Sequence, residues 1–171
     1  MKEEKVLKNA TVCFPFKDGQ ILLGLKTRKI GEGCWNGYGG GVESGETAEE
    51  AAVRELEEET DGIRAEIDDL EKIAVVDYRN TKSDGTIFDC RVHFYLVRHF
   101  SGFAKDTAEM IRHTWFAIDD LPLAEMMPAD KEWLPLALSG KKLMVKANYG
   151  PFQKTLLGKV EIQELDSFSS D

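Results

Sequence analysis

Short runs in which every second residue is apolar fill most of this chain, and few stretches carry the 3.6-residue period of a helix. Residues 5–16 (KVLKNATVCFPF) read as a first strand, which Pro15 makes irregular or an edge, because proline brings no N–H to a ladder. Lys17-Asp18-Gly19 signals a turn, and residues 20–26 (QILLGLK) form a second strand. Residues 27–41 read as a loop carrying Gly31, Gly33, Gly37, Gly39, Gly40 and Gly41, which lets backbone approach a ligand closely. Residues 46–60 (ETAEEAAVRELEEET) predict a strong helix; Thr47 with Glu50 makes a capping box, and Gly62 suits the C-terminal stop. Strands are expected at 73–79 and 85–100, joined by a hairpin loop over 80–85, and again at 111–118. Residues 121–140 predict helix, turn, helix, broken at Pro122, Pro128 and Pro135. Residues 141–149 and 152–165 read as a closing hairpin around Gly150-Pro151, and 166–171 as a frayed tail. Many strands, two or three helices and no regular βαβ alternation point to an α+β or sandwich-like fold.

At 171 residues the chain predicts one domain, 1–171, able to bury a core without staples. The apolar runs are too short to span a membrane, and the charged start lacks a secretory h-region. Cys13, Cys34 and Cys90 stand apart with no CxxC pair, which argues against a disulfide framework or a thiolate zinc site and fits a reducing, cytoplasmic compartment. The net charge of −9 excludes a protein that coats nucleic acid through its phosphates. It does not exclude an anionic small ligand, since a bound cation or a local basic cluster reverses the potential inside a pocket.

The predicted helix carries the chemistry. Glu55, Glu58 and Glu59 fall at i, i+3 and i+4, on one face. Carboxylates so close repel unless a cation joins them, and Mg²⁺ or Mn²⁺ takes such oxygens and bridges to phosphates. The bland alternative is a solvated acidic face. The glycine-rich segment just before the helix favours the cation, because a glycine strip facing carboxylates makes a cradle for a metal-bound polyphosphate. Arg54 can reach back to Glu46 or forward to Glu58 and hold the group rigid.

Residues 40–63 (GGVESGETAEEAAVRELEEETDGI) resemble the Nudix box, G-x5-E-x7-R-E-U-x-E-E-x-G-U, with U a bulky aliphatic residue. Gly40, Glu46, Arg54, Glu55, Leu56, Glu58 and Glu59 stand at the family spacing. Asp61 stands where the family has glycine and Gly62-Ile63 comes one residue late, which reads as a one-residue extension at the helix exit. The resemblance implies the Nudix fold, an α/β/α sandwich with a mixed β-sheet between helices. It implies Mg²⁺- or Mn²⁺-dependent hydrolysis of a nucleoside diphosphate derivative, with water attacking a bridging phosphate. By position it makes Glu55, Glu58 and Glu59 metal ligands, one of Glu55 or Glu59 serving the water instead. Gly39 supplies a carbonyl, Glu46–Arg54 are a structural pair, and Glu109, ahead of Trp115-Phe116, is a further ligand. Lys26, Arg28 and Lys29 either hold outer phosphates or serve solubility.

Beyond the box, residues 20–47, 115–138 and 141–150 resemble the MutT-class oxidised purine nucleoside triphosphatases of mammals. That resemblance implies a small-molecule nucleotide substrate such as 8-oxo-dGTP, monophosphate and pyrophosphate as products, nucleotide-pool sanitation, and a monomer or homodimer. It assigns Asn36, in Trp35-Asn36-Gly37-Tyr38-Gly39-Gly40, to the base, and Thr11 and Lys26 to the pocket. Where those enzymes carry Trp-Pro-Asp-Asp over the base, this chain has Met127-Pro128-Ala129-Asp130. Asp130 is kept and Met127 replaces the stacking ring, a loss of about 1–3 kcal/mol unless something replaces it. Another nucleoside diphosphate derivative, such as ADP-ribose or a dinucleoside polyphosphate, is the alternative substrate, and a non-catalytic nucleotide-binding module the alternative class. His93, His99 and His113 lack metal-ligand spacing and read as structural or surface residues, and Trp115 and Trp133 as core.

Overall fold

Strand β1 (Asn9–Lys17) joins two sheets in the computed structural model, which describes residues 6–168. Over Ala10–Cys13 it pairs antiparallel with β4 (Tyr38–Gly41), and at Phe16 and Lys17 with β2 (Gln20–Lys26). Its other edge runs parallel to β6 (Ile87–Val97) from Asn9 to Pro15. The larger sheet continues through β5 (Leu70–Thr81), β8 (Lys142–Tyr149) and β9 (Glu161–Leu165), with β5 and β8 parallel and the other pairs antiparallel. In the smaller sheet β2 takes β3 (Trp35–Asn36) and β7 (Met110–Ala117).

Alternation along the central strands separates two apolar layers. Phe14, Phe94 and Leu96 pack with Trp133, Leu134 and Ala137 of α2 (Asp130–Leu138). Cys13, Tyr95 and Val97 pack with Ala52 and Leu56 of α1 (Ala48–Thr60). The mixed sheet therefore lies between the two helices, as expected. Each large apolar side chain buried this way contributes roughly 1.5–3 kcal/mol. No helix among the described residues is long and apolar enough to cross a membrane.

Several expectations need correction. Of the two readings of Pro15, the irregular strand holds and the edge does not, since β1 is central. Pro15 falls at the seam where the β4 partner ends (Cys13 opposite Tyr38) and the β2 partner begins (Phe16 opposite Ile21), a break in the ladder that tolerates a missing N–H. The glycine-rich loop ends in two short strands, because Gly39, Gly40 and Gly41 pair with Val12, Thr11 and Ala10. The helix exit is not extended: α1 stops at Thr60, and Asp61 takes the left-handed position itself (φ 46°, ψ 41°) with its N–H on the Glu57 carbonyl. Gly62 serves close approach instead, since a Cβ there would run into the Phe103 carbonyl oxygen.

The first helix expected within 121–140 is only a 3₁₀ turn at Leu123–Glu125. Pro135 sits inside α2 without breaking it, because the carbonyl it leaves unpaired belongs to exposed Lys131 near the helix start. The closing hairpin is real in its pairing, Lys142 opposite Leu165, but its second strand starts only at Glu161, after a 3₁₀ turn at Pro151–Gln153. Of the tail expected to fray, Phe168 lies under the Lys72 ammonium (5.5 Å), and 169–171, like Lys5 of the first expected strand, are outside the described residues.

Candidate active site

The acidic end of the site is built where α1 crosses β4. Thr47 caps the helix with the expected reciprocal bonds to Glu50, which sets the phase of the turns that follow. Leu56 and Ala52 turn inward, and so Glu55 and Glu59 lean over the glycine strip. The Gly39 N–H donates to Glu59 Oε1 at 2.7 Å. A Cβ at Gly40 would lie 2.6 Å from Glu55 Oε1, and one at Gly39 would collide with the Thr11 carbonyl. Only glycine allows β1, β4 and the two carboxylates to approach this closely.

Arg54 organises the group. It grips Glu46 with two bonds (Nε to Oε2, 2.7 Å; Nη2 to Oε1, 2.9 Å), donates to the Gly41 carbonyl at 3.1 Å, and reaches Glu55 at 3.0 Å and Glu58 at 3.3 Å. The backward and forward reaches read from the sequence are both present. The Arg54 bonds hold the Glu46 carboxyl down at about 2. Burial does the opposite to Glu59, whose carboxyl is pushed up to about 8 against the pull of the Gly39 N–H and the Lys26 ammonium, with Glu55 and Glu109 adding repulsion. Burial also raises Glu55.

Glu58 is mostly exposed and Glu59 is 5% exposed, so the three carboxylates differ sharply in hydration. Glu109 lies on the opposite wall with Arg28 (3.2 Å) and Lys29 (3.0 Å) both on its Oε1. Those two cations are thus spent on a carboxylate, while Lys26 is drawn inside beside Glu59, where burial lowers its pKa. Among the described residues no three acidic, imidazole or thiol groups are drawn together tightly enough to hold an ion by themselves. The donors are nonetheless all oxygen, and Glu59 is a buried carboxylate short of positive charge. That set suits a hard divalent cation completed by water and phosphate oxygens, which is how Mg²⁺ is usually held.

From this end a continuous cleft of about 1240 Å³ runs across the sheet to α2. It is lined by Gly39, Glu55, Glu58, Glu59 and Glu109 at one end and by Asn36, Met127 and Asp130 at the other, with Thr11 and Lys26 between. Glu46 and Arg54 stay behind the wall. Asn36 is turned by a bond from Nδ2 to the Cys34 carbonyl (3.2 Å), and Gly31 passes between Asn36 and the Met127 sulfur. Thr11 is fully buried and its Oγ1 has no partner. Asp130 opens α2 without capping it, is 7% exposed, and burial pushes its carboxyl up to about 7.

Sequence reading missed the floor and far wall of this cleft. Phe14, Val92 and Phe94 floor it, and Tyr78, Asn80, Cys90 and Tyr149 wall its far side. Tyr78 and Tyr149 stack at 5.5 Å, and the Tyr149 hydroxyl accepts from the Ala129 N–H at 2.7 Å, fixing the start of α2. The period-two face Ala74, Val76, Tyr78, Asn80 was the available signal. The histidines are structural as read: His113 Nδ1 bonds the Tyr38 hydroxyl at 2.7 Å and His93 Nε2 bonds Asn9 at 3.2 Å, while His99 lies beyond the end of β6. Trp133 is core, whereas Trp115 is half-buried against Phe100.

A sheet between two helices, a glycine strip under an acidic helix face and an arginine behind it define a class. The chain belongs to the Nudix family: the NUDIX domain model matches residues 6–137. It is 36% identical over 158 residues to the oxidized purine nucleoside triphosphate hydrolase of Mus musculus, covering 92% of this chain and 96% of that protein. The protein of the same description in Danio rerio is 37% identical over 137 residues, 80% of this chain and 83% of its own length. Among solved structures, the MutT protein of Bacillus halodurans superposes with a TM-score of 0.70 at 25% identity, over 91% of this chain and 97% of that one.

Proposed function

We propose that this Nudix hydrolase cleaves oxidised purine nucleoside triphosphates, with 8-oxo-dGTP the favoured substrate, to the monophosphate and pyrophosphate. The observation that carries the reading is the continuous cleft, lined by carboxylates and a glycine strip together with hydrogen-bonding groups suited to a base, Asn36 and Asp130. The oxidised purine hydrolases of Mus musculus and Danio rerio, similar over most of this chain, support the same substrate class.

In this reading Glu55, Glu58 and Glu59, the Gly39 carbonyl and Glu109 would hold Mg²⁺ or Mn²⁺, one of Glu55 or Glu59 serving the water instead, and the cation would supply positive charge against that of the phosphates. Arg54 and Glu46 keep those carboxylates in place. A water oxygen bonds to the attacked phosphorus, the bridging P–O bond breaks, and pyrophosphate leaves; Glu55 or Glu59 orients that water and takes its proton. Lys26 contacts the phosphates, Asn36 and Asp130 read the base edge, and Met127 covers its face in place of a ring. Three free cysteines, two of them buried, suit a reducing, cytoplasmic compartment.

The test is release of pyrophosphate from 8-oxo-dGTP, dGTP, 2-hydroxy-dATP, dATP and dCTP, and of AMP from ADP-ribose, with Mg²⁺ and with a chelator. The expected result is release strongest from 8-oxo-dGTP and lost with the chelator. Even release across the panel, or turnover confined to ADP-ribose, overturns the substrate assignment.

A further inference from the structure

The far wall of the cleft holds a polar group that nothing in the assignment above uses. Asn80 stands on β5 one same-face step beyond Tyr78, opposite Phe88 on β6 and in register with Tyr149 on β8. It is only 4% exposed, it lines the cleft, and its Nδ2 has no hydrogen-bond partner. An amide N–H₂ left unpaired in so buried a place is costly and calls for an explanation. Its carbonyl is not free: Gln153 Nε2 donates to Asn80 Oδ1 at 2.8 Å. Gln153 arrives there on an unusual backbone. Phe152 and Gln153 are both non-glycine residues at positive φ (56° each), a conformation that L side chains rarely adopt, and both line the same cleft. Strain of this kind gathers at ligand-binding positions.

With that bond made, Asn80 Nδ2 is a donor group without a partner and the Gln153 carbonyl is an acceptor beside it. Turning both amides over leaves the same complement, one donor and one acceptor side by side. That complement matches an N–H next to a C=O on a ring. A purine oxidised at C8 presents such an edge at N7–H and C8=O, and an unoxidised purine has there a bare N7 acceptor and a C–H. Asn36 and Asp130 occupy the end of the slot toward β3 and α2. The Asn80–Gln153 pair lines the same cleft, two residues along β5 from Tyr78 of the Tyr78–Tyr149 stack.

We propose that Asn80 and Gln153 are a specificity-determining pair that reads the N7–H/C8=O edge of a C8-oxidised purine through one accepted and one donated hydrogen bond. The proposal rests on the nucleotide reading above and adds to it how the oxidised ring is told from the normal one.

The experiment compares wild type, Asn80→Ala and Gln153→Ala. It measures kcat/KM on 8-oxo-dGTP, 8-oxo-dATP, 2-hydroxy-dATP, dGTP and dATP, and binding of 8-oxo-dGMP and dGMP by calorimetry. The 8-oxo to unmodified ratio is expected to fall about 10-fold in Asn80→Ala and about 3-fold in Gln153→Ala, for both guanine and adenine pairs. The 2-hydroxy-dATP to dATP ratio is expected to stay at its wild-type value, since that oxygen lies on the other ring. Losses that fall equally on 8-oxo and unmodified nucleotides overturn the pair, as does an unchanged ratio in the half-buried Gln153→Ala together with a folded Asn80→Ala. If Asn80→Ala does not fold, Gln153→Ala alone decides. Wild type inactive on every purine triphosphate overturns the functional reading separately. The pair is then judged on binding, where equal retention of the 8-oxo-dGMP to dGMP ratio in the variants overturns it.

Discussion

The two ends of the cleft solve different problems with different materials. The acidic end is built mostly from one continuous segment, Gly39 to Glu59, with Glu109 added from the opposite wall, and is dense with charge: one guanidinium touches Glu46, Glu55 and Glu58. The other end, proposed to take the base, is assembled from β3, β5, β6, β8, α2 and the turn after β8, and holds neutral or nearly neutral groups: Asn36, Tyr78, Asn80, Asp130 and Tyr149. Charge suits chemistry on a polyphosphate, where the developing charge must be stabilised wherever the base points. Discrimination between bases needs shape and unpaired hydrogen-bonding groups in a dry slot, where a wrong partner leaves a buried group unsatisfied. The comparison predicts that substitutions at the acidic end remove turnover on every substrate, and those at the base end redistribute it.

The largest effect is expected at the acidic end. Glu59→Gln and Glu58→Gln should each lower kcat by roughly 100-fold or more on every nucleotide, as loss of charge stabilisation in a transition state does. Thermal unfolding should shift little for exposed Glu58. Retained turnover in both variants, assayed with Mg²⁺, breaks the assignment of α1 as the source of the chemistry.

Arg54→Ala should lower the urea midpoint, because it leaves Glu46 and Glu55 unpaired beside the Gly41 carbonyl. Arg54→Lys should recover only part of this, since an ammonium cannot grip Glu46 with two parallel bonds. A full recovery by lysine would mean that charge alone, and not the fork geometry, organises this end.

A pH effect separates the base end. In the fold burial raises the Asp130 carboxyl to about 7, while in the unfolded chain it titrates near 4. Between those values the folded protein keeps a proton that the unfolded chain has released. This group's contribution is therefore fully present below pH 4 and is lost as pH rises toward 7, at on the order of 1 kcal/mol per unit. Asp130→Asn should remove that slope. The measurement is the difference in unfolding free energy between wild type and variant at pH 4.5, 5.5 and 6.5, and a difference constant across the series would place Asp130 in a more hydrated setting than the cleft implies.

The smallest effect lies at the helix exit. Asp61→Gly should stabilise the protein by about 0.5–1 kcal/mol, because glycine takes a left-handed turn without a Cβ penalty. Gly62→Ala should destabilise by more, given the Phe103 carbonyl against it. The two urea midpoints should move in opposite directions.

Much of the acidic end could be read from the chain alone. A capping box and the i, i+3, i+4 spacing of Glu55, Glu58 and Glu59 are local facts about one helix, and the Glu46–Arg54 pair spans only eight residues. Alternation placed the strands, and the two apolar layers followed from it. What local pattern could not decide was set by pairing between distant segments. Pro15 became central because two partners meet at its position, and three glycines became a strand because β1 lay beside them. Asp61 adopted the turn that the glycine one place later seemed to promise.

The base end depended on tertiary structure most of all. Asn36 and Asp130 were legible through their resemblance to a known pattern. Asn80 and Gln153 lie 73 positions apart, and no spacing or composition brings them together. The register of β5 on β8 and the left-handed turn after Tyr149 do so, and burial then gives an ordinary asparagine an unpaired N–H₂ to offer. Helical chemistry is written at short range because a helix places its own residues. A pocket wall is written only in the packing, because each of its groups is placed by a different strand.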